Sequence, residues 1–249
     1  MGSLTLPFHP DWPYAGGLVI ESMARRGTNR SQFETGTSNG GLTVHPGGDR
    51  WRWESRLFDG RYDGAPDGDR PVYGAWNSRD DPYGGAIRFG SAYARLRADL
   101  LDRCTFCFPD SVLEPTDFGG PDALPHLSAL ADAARFDDLD ECVEAHVHGG
   151  VVFERDVEAV VLDPCFRDTK VEAAAAELGC AVEWHPGLRV SSSGLDPDYR
   201  GQEFVDLARS LGDVLTPDRL GDAARSGAHD AQSVKRVWHY LARFGRSPV

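Results

Sequence analysis

The stretch from Asp156 to Gly187, DVEAVVLDPCFRDTKVEAAAAELGCAVEWHPG, decides the fold class. DVEAVVLDP is almost continuously apolar, the pattern of a strand covered on both faces. DTKVEAAAAELG is an alanine-rich helix closed by Gly179, and CAVEWHPG resumes strand character. Strand, helix and strand in that order form an αβ unit, so the chain reads as α+β (mixed α/β). Just upstream, ECVEAHVHGG (Glu141 to Gly150) is a second β-rich run, expected to join the first through a hairpin-like link at Gly149-Gly150 and FER.

Working outward, VYGAW, AIRFGSAYARL and CTFCF (Val72 to Phe108) read as three more strands separated by glycine turns. PDALPHLSALADAARF reads as a helix with Leu124, Leu127, Leu130 and Ala134 along one side. LVIESMARRG (Leu18 to Gly27) reads as a short helix ended by its glycine. DRWRWESRLFDG, with Asp49 as a cap, suits a helix, although Trp51 and Trp53 at a spacing of two also suit a strand. DGRYDGAPDGDRP (Asp59 to Pro71) reads as an exposed loop.

The last third is helical. TPDRLGDAARSG carries Thr216 as cap and Pro217 at the first helical position, and DAQSVKRVWHYLARFG lines up Val234, Val237, Trp238, Leu241 and Phe244. The whole is expected as a single domain over 1–249, with residues 1–28 as an N-terminal extension and 199–249 as the helical part.

Composition narrows the function classes. With 26 basic against 39 acidic residues the net charge of -13 repels phosphate backbones and anionic membranes, so neither nucleic acid nor membrane is an expected partner. Five cysteines, an odd number in a long chain, point to reduced thiols in a cytosol-like compartment. The CTFC pair, Cys104 and Cys107, reads as buried thiols because no second pair follows. The start has no signal-peptide pattern, no run reaches membrane-spanning length, and Leu6 stands where myristoylation requires Ser or Thr.

Two places could carry chemistry. In VEAHVHG, Glu144, His146 and His148 alternate and therefore share one face of a strand. Three readings of that face stand side by side. The His pair could bind zinc, with Glu144 as base or ligand and with His185 and Asp163 completing the site. Glu144 could act alone as an electrostatic catalyst for a centre that becomes positive. Or the face could simply be the polar side of a strand. The second place is NRSQFETGTSNGGLT (Asn29 to Thr43), dense in hydroxyls, amides and glycines around Arg30. It is either a self-bonded turn or a cradle for a polar ligand.

RSQFETGTSNGG, YGGAIRFGSAYARLR, TFCFPDS, VEAHVHGG, DVEAVVLDPCFR and VEWHPG together resemble a bacterial domain family that includes the CteC-type effectors. Those effectors are mono-ADP-ribosyltransferases that use NAD to modify a threonine of ubiquitin. The resemblance implies a split β-core with a cleft for NAD as co-substrate, no metal, and ubiquitin as protein acceptor. It further implies delivery into a host cell without a signal peptide as the alternative to a cytoplasmic location. Catalytic positions carried over are Glu144, Arg30 and Asn39, while His146, which stands where a second glutamate would be in arginine-directed members, is expected from histidine chemistry to accept the proton of the incoming hydroxyl. NAD contacts are expected from Arg30, Gln32, Glu34, Thr37, Ser38, Asn39, Gly40 and Ser91, where either the TGTSNG segment or Ser91 supplies the family's serine. The alternatives are a zinc-dependent hydrolase using His146 and His148, and a nucleotide-binding module without catalysis.

Overall fold

A computed structural model describes residues 2–36, 43–137 and 139–246. Eight strands make one sheet: β1 (Ser3–Phe8), β2 (Val72–Asn77), β3 (Ala92–Leu96), β4 (Cys104–Phe108), β5 (Asp117–Gly119), β6 (Val143–Val147), β7 (Val157–Leu162) and β8 (Ala181–Trp184). Their spatial order is β8-β7-β3-β1-β2-β6-β4-β5, hydrogen-bonded throughout. All neighbours are antiparallel except β7 and β8, which are parallel. Around the sheet lie α1 (Val19–Arg26), α2 (Asp49–Leu57), α3 (Leu124–Ala133), α4 (Lys170–Ala176), α5 (Gln202–Ser210), α6 (Pro217–Ser226) and α7 (Ala231–Phe244). The fold is mixed α+β, and these eight strands form one continuous sheet, without a break in hydrogen bonding between two halves.

The αβ unit is present: β7 leads through α4 to β8, with Val160 opposite Val182. Thr169 caps α4 through the Val171 amide. In β7 only Glu158 is exposed, as a strand with both faces covered requires. The expected hairpin between β6 and β7 is not formed. β6 sits between β2 and β4, whereas β7 sits between β3 and β8. Gly149 and Gly150, with φ of 80° and 69°, turn the chain into Val151–Val152, which pairs with Thr28–Asn29, and the helical turn Phe153–Asp156 follows.

Residues 3–8 are no extension. SLTLPF is β1 in the middle of the sheet, and Leu4 and Leu6 are buried. The segment AIRFGSAYARL is a strand only from Ala92; Ile87–Phe89 is a 3-10 turn. Trp51 and Trp53 belong to a helix, whose N-cap is Gly48 and not Asp49. The loop from Asp59 to Pro71 is not wholly exposed, since Tyr62 and Arg70 are buried.

Two large apolar clusters, with a small third around Ala75, Ala86 and Cys142, form the interior among the described residues. One packs β1, β3, β4, β6 and β7 with α1, α3 and α4. The other gathers α5, α6 and α7 around Trp238, whose Nε1 donates to the Arg88 carbonyl at 2.9 Å. Asp230 caps α7 through the amides of Gln232 and Ser233. Phe244 departs from the expected apolar face and is 46% exposed.

Candidate active site

Strand β6 is buried on both sides because its alternation divides two environments. Val143, Ala145 and Val147 enter the apolar cluster. Glu144, His146 and His148 face α2 and the loop after it. Register fixes the neighbours: Glu144 lies between Ala75 of β2 and Cys107 of β4, and His146 between Tyr73 and Thr105. Trp53 and Phe58 close over His146 with ring centroids at 5.7 Å and 5.4 Å.

A buried carboxylate needs partners, and Glu144 has several. Its Oε2 accepts from the Ser111 hydroxyl at 2.9 Å and from the Ser111 amide at 3.4 Å. Its Oε1 lies 3.0 Å from His146 Nε2 and 3.9 Å from Arg50 Nη1. Arg50 also donates to Ser111 Oγ at 2.7 Å and stacks 4.0 Å over the Tyr73 ring. Burial works against charge on Glu144, but the His146 bond, the Arg50 and His146 charges and the Ser111 bond outweigh it and hold the carboxyl below its ordinary pKa. Behind it, Arg70 pairs with Glu54 at 2.6 Å, and Tyr73 donates to Glu54 at 2.9 Å.

Glu144, Arg50 and Ser111 line a cavity of about 60 Å³ together with Pro7, Gln32 and Tyr73. Pro7, Gln32 and Tyr73 also line an adjoining groove of about 170 Å³, which holds Arg30, Tyr14 and Trp12. The two spaces therefore adjoin across Gln32, whose buried Oε1 has no partner among the described residues. Arg30 donates to the Tyr14 hydroxyl at 2.7 Å and has no carboxylate partner among the described residues.

Several expected site residues lie elsewhere. Glu34 is exposed and accepts from the Ser31 amide at 3.2 Å, completing the cap of the turn Gln32–Thr35. Ser91 is buried, lines neither space, and offers its carbonyl to His185 Nε2 at 3.0 Å. It is kept away because β1 and β2 separate β3 from β6. His146 is fully buried with Nε2 directed at Glu144, so it cannot itself touch an incoming hydroxyl. Thr37, Ser38, Asn39 and Gly40 lie outside the described residues.

The zinc set expected from His146, His148, His185 and Asp163 does not assemble. Asp163 caps the turn after β7 and accepts from the Leu188 amide at 2.8 Å, and His185 lies 3.8 Å from it. Asp163 follows β7 and His185 follows β8, four and five strand spacings from β6, roughly 19 Å or more at about 4.8 Å per strand. A different trio, Cys107, Glu144 and His146, has donor atoms within 4.8 Å of one another, close enough to surround a metal ion. The surroundings favour a hydrogen-bonded set over a cation: Arg50 already brings positive charge, and burial pushes the Cys107 thiol well up. All five cysteines are free thiols, as their odd number suggested.

Arg50, Ser111, Tyr73 and Thr105 were not singled out from the sequence. Thr105 and Tyr73 follow once strand pairing is known, but Arg50 and Ser111 meet Glu144 from distant segments that carry no local signal.

The molecule is thus a mixed α+β domain built around a buried, ion-paired carboxylate beside a groove containing an arginine with no carboxylate partner. A family model described as a protein of unknown function (DUF3626) matches residues 3–134 and 123–244, and the chain belongs to that family. A comparison with curated proteins gives no match. Among the described residues no helix is long and apolar enough to cross a membrane.

Proposed function

We propose that the protein is a mono-ADP-ribosyltransferase that moves ADP-ribose from NAD to a hydroxyl side chain of an acceptor protein. One observation carries the reading: a carboxylate held ionised at the edge of a cavity that adjoins a groove containing an arginine without a carboxylate partner. Cleavage of the bond between ribose and nicotinamide builds positive charge on the ribose, as in glycoside hydrolysis, and the nicotinamide leaves neutral without an acid. Glu144 accepts a hydrogen bond from the ribose 2'-hydroxyl and stabilises that charge. Arg30 pairs with a phosphate oxygen, and the Gln32 side chain, shared by both spaces, meets the ligand between them.

The two spaces take the nicotinamide riboside end, since their volumes of about 60 and 170 Å³ lie below the roughly 300–1,000 Å³ of a pocket that encloses a whole drug-sized ligand. Arg50 supplies what the resemblance did not assign, a buried cation that keeps Glu144 charged. Ubiquitin is the proposed acceptor on the strength of the family resemblance, and a net charge of -13 suits an acceptor with a basic face.

Incubation with NAD and ubiquitin followed by intact-mass measurement tests the reading. A single ADP-ribose adduct is expected, with turnover falling about 100- to 1,000-fold in Glu144→Gln. No adduct and no release of nicotinamide would overturn it. Stoichiometric zinc by elemental analysis, with hydrolysis abolished by a chelator, would replace it with metal chemistry.

A further inference from the structure

Behind Glu144 runs an unbroken chain of polar contacts. His146 Nε2 is 3.0 Å from Glu144 Oε1, and His146 Nδ1 is 3.1 Å from Thr105 Oγ1. Thr105 Oγ1 is 3.0 Å from His148 Nε2, and His148 Nδ1 is 2.5 Å from the Tyr62 hydroxyl. His146 is 0%, His148 8% and Tyr62 4% exposed, and Thr105 between the two histidines is half-buried.

Valence decides how the protons sit. An ionised carboxylate only accepts, so His146 Nε2 must carry a hydrogen. With neutral His146, Nδ1 must then accept, and the Thr105 hydroxyl spends its single hydrogen there. Thr105 then receives from His148 Nε2–H, which leaves His148 Nδ1 to accept from Tyr62. Every donor finds one acceptor. If His146 gains a second proton, the chain beyond it reverses toward Tyr62, and Nε2–H still faces Glu144. Only the neutral Nδ1–H form is excluded, because it would set two lone pairs against each other.

We propose that Thr105, His148 and Tyr62 are positioning residues that hold the His146 ring so that its Nε2–H stays on the ionised Glu144. This rests on the ionised state of Glu144 described above, but not on the reaction proposed for it. Neutral His148 suits the chain: burial foremost, then His146 and Arg61, push its pKa down to about 4. The other titratable or charged groups around His146 are Tyr73 on β2, Cys107 on β4, and Arg50 and Glu54 on α2. Glu54 is occupied by Arg70 and Tyr73.

The test pairs ring-nitrogen NMR of ¹⁵N-histidine-labelled full-length protein with the pH dependence of NAD consumption. His146 and His148 are expected as Nε2–H forms in the native protein. In Thr105→Val, His148 is expected to become a tautomer mixture because its Nε2–H loses its acceptor, and the acid limb of turnover should move up by about one pH unit as the less firmly held His146 ring bonds Glu144 less well. Thr105→Ser should restore both. Detection of Nδ1–H His146 in the native protein would overturn the proposal, as would native-like tautomers in a folded Thr105→Val. Equal losses in the Val and Ser variants with an unmoved acid limb would also overturn it. Native tautomers as expected without any NAD turnover would count against the transferase reading and leave the lock standing.

Discussion

Replacing Arg50 by methionine removes the cation beside Glu144 while keeping most of the side chain's bulk. The guanidinium is 2% exposed, stands 3.9 Å from Glu144 and donates to Ser111 at 2.7 Å. Taking one member out of a buried charge pair costs about 3–5 kcal/mol. Glu144 retains Ser111 and His146, which places this case near the lower figure, about 3 kcal/mol. At about 2–4 °C per kcal/mol for a chain of this size, the thermal midpoint near pH 7 falls by roughly 6–12 °C.

The loss depends on pH in a way that packing alone does not. In the native protein the folded pKa of Glu144 lies below its usual 4.5. Its charge therefore contributes stability above the unfolded value and loses it as the pH falls through the lower folded one. In Arg50→Met burial dominates, the folded pKa rises, and the charge becomes a cost near neutrality that protonation relieves. The gap between the two proteins should thus be widest near pH 7 and shrink by as much as about 1.4 kcal/mol per pH unit on acidification. Thermal melts of both proteins from about pH 8 to 4.5 read this directly. A gap independent of pH would mean that Arg50 matters only by stacking on Tyr73, and the electrostatic reasoning would fail.

His239 is 2% exposed with neither ring nitrogen partnered among the described residues, and burial, followed by Arg88 and other nearby cations, lowers its pKa to about 2. Its neutral form favours the fold above the unfolded pKa of 6.5, and that contribution disappears as the pH falls toward the folded value. His239→Leu should therefore match or exceed native stability near pH 7 and gain about 1.4 kcal/mol per pH unit between about pH 6 and 4, measured by denaturant melts. At Gly90, φ is 179°, so the objection to a side chain is steric: a Cβ would stand 2.2 Å from the Phe8 amide nitrogen. Gly90→Ala should cost about 1–3 kcal/mol by forcing β1 aside, and an unchanged urea midpoint would contradict that packing.

What the sequence made legible was local. The αβ unit around β7, α4 and β8 follows from a glycine stop and a buried apolar run. The shared face of Glu144, His146 and His148 follows from alternation alone. Strand order was not legible: nothing in SLTLPF marks it as a central strand, and Gly149-Gly150 looks like a hairpin turn until β6 and β7 are found far apart in the sheet. Arg50 carried no signal either, because on α2 it reads as one more exposed arginine, and only the pairing of β6 with β2 and β4 brings Glu144 beneath it. Tyr62 was hidden in a loop whose aspartates and glycines indicated exposure. Arg30 stands out from its polar stretch and Gln32 follows from the family resemblance, and both line the groove, whereas Ser91 follows from motif order and lies beyond two intervening strands.

A crystal structure with an NAD analogue whose ribose ring oxygen is replaced by carbon, so that no oxocarbenium ion can form, addresses the role of Glu144 without any acceptor. The Glu144 carboxylate should lie within hydrogen-bond distance of the 2'-hydroxyl of the nicotinamide riboside, with Arg30 at a phosphate. A dinucleotide bound away from β6, or bound with that carboxylate turned from the sugar, would contradict the proposed chemistry.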